Sequence, residues 1–278
     1  MYKTILVHVD ETARSAQRTE VAAAMALASD ARLIGVATTG VPAYLFPTDG
    51  MVAAGPVDIA PLEEARGQAE RSLELFEAAA RRAGVASVER RCVDEDAGIA
   101  ISLQSRYSDL VVISQASLDE FLPRQRSDFP DYVVLNAVGP VLVLPSAWSG
   151  AVPGTRVVVA WNGSKEAARA IASALPLLRQ ARQVDLVVFD PGSTRGTHGQ
   201  EPGADMATYL AQHGVQVEVT VTGAGRDEDR ALLAFAAAKE ADLIVMGAYG
   251  RSRFSEIMLG GMTRSLLATS TIPLWMAH

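Results

Sequence analysis

The feature that most constrains this chain is that it is written twice. From Thr4 it reads TILVHVDETARSAQRTEVAAAMALA, and from Arg156 it reads RVVVAWNGSKEAARAIASALPLL. Each stretch is an apolar strand, a turn and an Ala-rich helix, with Ile5 opposite Val157 and Asp10 opposite Asn162, an offset of 152. Further on, DEDAGIAISLQSRYSDLVVIS from Asp94 matches DEDRALLAFAAAKEADLIVMG from Asp227, now at an offset of 133. Gly139–Leu144 and Ile272–Ala277 align at the same offset. Self-similarity on this scale calls for two copies of one architecture. The fall from 152 to 133 places 19 net extra residues in the first copy. The excess fits Val41–Pro61, rich in Pro and Gly and without a clear period. It reads as a long loop, equally a lid, an interface arm or a neutral insertion.

Each copy runs strand, helix, strand, helix, strand, helix, strand. In the second, the strands are TRVVVAW, QVDLVVFD, VQVEVTVT, DLIVMG and IPLWMA. The helices fall at Lys165–Gln180, Gly203–His213, Glu228–Lys239 and Ser255–Thr269. Apolar strands alternating with amphipathic helices predict α/β, two tandem doubly wound parallel-sheet domains of the Rossmann-like kind. The expected domains are 1–146 and 156–278, joined by a linker over 147–155 in the Pro-, Gly- and Ser-bearing run SAWSGAVPGT.

Composition narrows the partners. The chain has 278 residues, 49% of them hydrophobic, enough for packed cores. Its net charge of −7 gives no bulk attraction to nucleic acid or an anionic membrane. No apolar run approaches the ~18 residues of a membrane span, and the start, MYKTILVHVD, looks like a strand. The single cysteine, Cys92, forms no intrachain disulfide and suits a reducing compartment. These points predict a cytoplasmic protein without nucleic-acid or membrane partners.

The stretch GAYGRSRFSEIMLGGMTRSLL, Gly247–Leu267, follows the apolar run ADLIVM. In a doubly wound sheet, ligands bind at the carboxyl ends of the strands where the strand order reverses. Gly247 ends a strand and so belongs at that rim. Gly247 and Gly250 are expected to take positive φ and let the backbone approach a ligand. Gly260 and Gly261 open the last helix, where N–H groups and the helix dipole suit a phosphate. Thr263 adds a hydroxyl, and Arg251, Arg253 and Arg264 add positive charge.

Gly247, Gly250 and Gly260 stand in the frame G-x2-G-x9-G. With WNGSKEAARA and ADLIVMGAYGR, this makes the whole chain resemble a tandem member of the universal stress protein family. The resemblance implies an adenine nucleotide alpha hydrolase-like fold and binding of ATP, with Mg as a companion ion. It places Gly247, Gly250, Gly260, Gly261, Met262 and Thr263 around the phosphates and ribose. Met246 and the backbone near Phe189 would border the adenine, and Asn162 stands where the family usually has an aspartate. Gly261 replaces the motif's Ser or Thr, which removes one hydroxyl contact. The resemblance further implies pairing between the last strands of two domains, here through Val141–Leu144 and Leu274–Ala277, and allows a homodimer of tandem chains.

Position by position, the first half replaces Gly247, Gly250, Gly260 and Gly261 with Ser114, Ser117, Ser127 and Asp128. Arg253 becomes Glu120 and Arg264 becomes Asp131, while Asp10 survives. Acids where phosphate would lie point to a degenerate first half. Elsewhere, His8, His198, His213 and His278 lack metal-ligand spacing. No Gly-x-Ser-x-Gly elbow or Walker loop is present. The DED runs at Asp94 and Asp227 are expected to cap helices. The sequence thus predicts a stress-response or regulatory protein binding ATP or a related adenine nucleotide in its second half. The alternatives are a slow ATPase or autophosphorylating enzyme, which lacks an obvious general base, and a nucleotide-free interaction scaffold.

Overall fold

The computed structural model describes residues 1–42, 59–116, 128–149, 151–189, 201–223, 225, 227–250 and 261–278. The chain packs as two compact units, Tyr2–Val133 and Val134–His278, with Met1 counted in the second.

In the first unit, β1 (Thr4–His8), α1 (Arg14–Ser29), β2 (Arg32–Thr38), α2 (Ala60–Arg82), β3 (Val88–Val93), α3 (Ala97–Gln104) and β4 (Leu110–Ser114) follow one another. The strands lie in the order β3-β2-β1-β4. All the described pairings are parallel: Ile5 sits opposite Leu33 on one side and Leu110 on the other. β1 and β4 read as nearly unbroken buried runs because helices cover both faces of a parallel sheet. Leu73 and Phe76 of α2 are fully buried.

Helix α4 (Phe129–Asn136) leads to the second unit, which holds β5 (Val141–Leu144), β6 (Arg156–Ala160), α5 (Lys165–Leu178), β7 (Gln183–Phe189), α6 (Ala204–Gln212), β8 (Glu218–Thr222), α7 (Glu228–Ala238), β9 (Leu243–Gly247), α8 (Gly261–Thr269) and β10 (Leu274–Ala277). Its strand order is β5-β10-β9-β6-β7-β8. The described pairings are parallel except that of β5 with β10, which is antiparallel, with Trp275 opposite Leu142. The pairing of Val141–Leu144 with Leu274–Ala277 expected from the resemblance is therefore present within the chain.

Two expectations are corrected. The end of the expected loop is helical: Ala60 and Pro61 begin α2, which has 23 residues where 9 are described for α6. Pro61, read as the end of a loop, sits in the first turn of α2. There its missing N–H has no intrahelical partner to lose. The rest of Val41–Pro61, from residue 43 to 58, lies outside the described residues. The DED runs also divide their work. Asp96 caps α3, its carboxylate accepting from Gly98 N at 2.9 Å and Ile99 N at 3.3 Å. Asp94 instead pairs with Arg66, and Asp227 makes no side-chain cap on α7.

Candidate functional site

In the second unit the strand order reverses between β9 and β6, which are paired with Val159 opposite Val245. Parallel strands bring their carboxyl ends to one rim. That rim carries Asn162 beyond β6, Phe189 at the end of β7 and Gly247 at the end of β9. Asn162 is exposed, and its Oδ1 accepts from Ser164 N at 3.1 Å. Ser164 in turn caps α5, its hydroxyl accepting from Ala167 N at 3.1 Å. Met246 is buried in β9 opposite Met276, and Phe189 is half-buried opposite Thr222.

The glycines behave differently from the expectation. Neither Gly247 nor Gly250 has positive φ; Tyr249, between them, does, at 56°. Gly247 is needed because nothing larger fits, and Gly250 leaves room for the Glu166 carboxylate. A Cβ on Gly247 would lie 2.4 Å from Ala167 N and 2.7 Å from Glu166 C. The end of β9 thus presses against the first turn of α5. A Cβ on Gly250 would lie 2.7 Å from Glu166 Oε2. The strained turn at Tyr249 is held from the far side: its N–H donates to Thr263 Oγ1 at 3.2 Å. Thr263 is buried, while Gly261 and half-buried Met262 begin α8. Gly261 is exposed, and among the described residues a Cβ there would meet nothing within 4 Å. Arg251, Arg253 and Gly260 lie outside the described residues.

Sequence reasoning missed Glu166. It is 4% exposed, in the first turn of α5, with Oε1 3.7 Å from Lys165 Nζ. A carboxylate there favours the helix dipole, yet it also lies beside Gly250. The signal that would have found it is the same comparison of halves carried into the helix: at the offset of 152, Glu166 faces Arg14.

The rim of the first unit has another chemistry. Arg18 of α1 is 2% exposed. Its Nε donates to His8 O at 2.5 Å, Nη1 donates to Ser114 Oγ at 2.9 Å, and Nη2 lies 3.0 Å from Asp10 Oδ2. Asp10 Oδ1 accepts from Thr12 N at 3.1 Å and Thr12 Oγ1 at 2.5 Å. Burial would raise the Asp10 pKa, but the Arg18 guanidinium, His8 and the Thr12 donors outweigh it and bring it to about 2. His8 stacks at 4.8 Å on Phe129, and its Nδ1 is 3.5 Å from Asp10 Oδ2. Burial, assisted by Arg18 and opposed by Asp10, lowers the His8 pKa to about 4, so the ring is neutral near pH 7. These residues line or support a cavity of about 310 Å³ at the carboxyl ends of β1 and β2. Among the described residues, no cluster of three His, Cys, Asp or Glu side chains could hold a metal. No described helix is long and apolar enough to cross a membrane.

The universal stress protein family model matches residues 1–145 and again 154–278. Among solved structures, the chain is similar to a universal stress protein from Archaeoglobus fulgidus DSM 4304, at 17% identity and a TM-score of 0.72, covering 99% of this chain and 95% of that one. It is also similar to a functionally unknown protein from Pseudomonas aeruginosa PAO1, at 15% identity and a TM-score of 0.61, covering 99% of this chain and 92% of that one. At these identities the likeness shows the fold. No curated protein matches the sequence.

Proposed function

The chain belongs to the universal stress protein family, and on that premise we propose that it is a stress-response protein binding ATP or a related adenine nucleotide in its second half. The observation that carries this reading is the position of the glycine frame. The frame beginning Gly247, Gly250 follows β9 at the reversal of strand order, beside the start of α5. That is where doubly wound sheets take their ligands. In this reading the phosphates run past Gly247 and Gly250 toward Gly260, Gly261, Met262 and Thr263, with Arg251 and Arg253 supplying charge. Asn162 meets the ribose, and Phe189 and Met246 border the base. Mg accompanies the phosphates. The first half is degenerate toward phosphate in this reading, since Asp128, Glu120 and Asp131 stand in the places of Gly261, Arg253 and Arg264.

Calorimetry with ATP tests this on two variants. Gly250→Asp sets a second carboxylate beside Glu166 and is expected to abolish binding. Ser117→Asp, its first-half equivalent, is expected to leave binding unchanged. Equal losses would overturn the assignment to the second half. Glu166→Gln sharpens the position: removing a carboxylate beside the phosphate path should tighten ATP binding by about fivefold, or roughly 1 kcal/mol. An unchanged affinity would move the phosphates away from α5.

A further inference from the structure

Strands β5 and β10 already pair with each other. β3 ends the strand order of the first unit, and β8 ends that of the second. A sheet edge offers unpaired N–H and C=O groups to another chain, and proteins commonly guard it with charge. β3 is guarded. Arg90 and Arg91 stand at its centre, Arg90 Nε lying 3.2 Å from Glu77 Oε2 and Arg91 Nε donating to Glu89 Oε1 at 2.8 Å. An antiparallel pairing of two copies through the middle of this strand sets arginine against arginine, and like charges directly opposite destabilise a pair.

β8 has no such guard. It pairs with β7 on one side, and among the described residues no strand lies on its other side. It reads Glu218, Val219, Thr220, Val221, Thr222. Val219 lies close to Gly203 at the start of α6, yet Val219 and Val221 remain 36% and 49% exposed. The one charge, on Glu218, is itself 3.4 Å from Lys239 Nζ. Beside the amino end of β8 runs an open groove, walled by Ala207 and Ala211, one turn apart on α6, and by residues 214–217.

The apolar and polar order of β8 is the same in both directions about Thr220. A twofold pair needs this, because it sets residue i of one copy against residue j of the other and j against i. With the axis at Thr220, Val219 of each copy meets Val221 of the other, and the two Thr220 side chains meet. Glu218 meets Thr222, whose hydroxyl can donate to the carboxylate. Like charges are nowhere opposed along the strand, and both exposed valines are covered. The chain leaving β8 of one copy runs along the groove of the other, where alanine and glycine leave room for a backbone. We propose that β8 is the interface with a second copy of this chain, the two strands pairing antiparallel about Thr220. The proposal does not rest on the nucleotide reading, since β6 and β7 separate β8 from the glycine frame that follows β9.

Light scattering on the full chain over a concentration series tests it. The parent is expected to reach twice the 29.4 kDa of one chain. Val221→Lys, at an exposed position, sets a charge against each Val219 and is expected to stay at the mass of one chain, with its melting temperature in dilute solution unchanged. Leu75→Lys, at an apolar position of α2 that is 72% exposed, is expected to dimerise like the parent. Cross-linking then reads the register in a chain carrying Cys92→Ser. Thr220→Cys brings two thiols onto Cα atoms about 4.5–5.5 Å apart, within reach of a disulfide. It is expected to give a covalent dimer with oxidised glutathione. Thr222→Cys holds the two Cα atoms about 13 Å apart and is expected to cross-link at least tenfold more slowly. A dimer indifferent to Val221→Lys, or equal cross-linking from both positions, would overturn the proposal. So would a parent that stays a monomer at every concentration, which would leave the β8 edge to an extended segment of a different protein.

Discussion

Asp109 and Asp242 occupy the same place in the two copies and do the same work. Asp109 Oδ2 accepts from Lys3 N at 2.6 Å and Thr4 N at 2.9 Å, at the start of β1. The Asp242 carboxylate accepts from Gly154 N, Thr155 N and Arg156 N at 2.9–3.0 Å, at the start of β6. At the opposite, carboxyl rim the copies part. His8, Asp10 and Arg18 in the first unit face Ala160, Asn162 and Ala170 in the second, and Arg14 faces Glu166. The amino ends carry what the fold needs, which is the same twice. At the carboxyl ends the copies have separated in charge and in burial.

The strongest way to break this contrast is to remove the side chain that follows the first strand at each rim. Asp10→Ala strands the buried Arg18 guanidinium and should cost about 3–5 kcal/mol. Asn162→Ala removes one exposed hydrogen bond and should cost about 1 kcal/mol or less. Urea unfolding of both variants measures this, and equal losses would mean that the Arg18 network carries no more stability than a surface turn.

Acid sharpens the comparison next. His8 has its folded pKa lowered from 6.5 to about 4, so between those values the unfolded chain binds more protons. Its contribution is complete above pH 6.5 and is lost as the pH falls toward 4, by about 3 kcal/mol. Asp10, lowered from 3.8 to about 2, adds a second loss below that window. Ala160 and Asn162 have no such charge to lose. Unfolding midpoints followed from pH 7 to pH 4 should therefore fall less steeply in His8→Leu than in the parent. Parallel curves would show that His8 does not gain its proton on unfolding.

Smaller effects separate the glycines. Gly247→Ala forces a methyl group against the backbone of α5 and should cost about 1–3 kcal/mol. Gly261→Ala meets no described atom and should stay within about 0.5 kcal/mol. Thermal melts of the pair decide it; a tolerated Gly247→Ala would mean that the start of α5 yields easily.

Much of this was legible in the sequence, for physical reasons. Strand and helix periods, written twice, specify the alternating fold, and the alignment of Gly139–Leu144 with Ile272–Ala277 marked the strands that pair as β5 and β10. Local chemistry was less transparent. Proline marks a loop and also the first turn of a helix, so Pro61 concealed the start of α2. Glycine serves both a positive φ and a missing Cβ, and only the packing of β9 on α5 shows that Gly247 serves the second. Arg18 and Glu166 are charged residues on Ala-rich helices, a pattern that reads as solvated surface. Their burial depends on partners from distant strands.

The place of β5 has a consequence for how the gene can be divided. This strand is encoded in the first half but packs in the unit of Val134–His278, antiparallel to β10. A cut at the linker after it would therefore yield two fragments that each lack something: one trailing a strand without its antiparallel neighbour, the other showing an open edge at β10. Such edges seek a complementary strand. The fragments should rejoin when mixed, and the first alone should borrow another chain. In this protein the join between the copies is a seam sewn from both sides, and a severed chain is a split reporter in waiting.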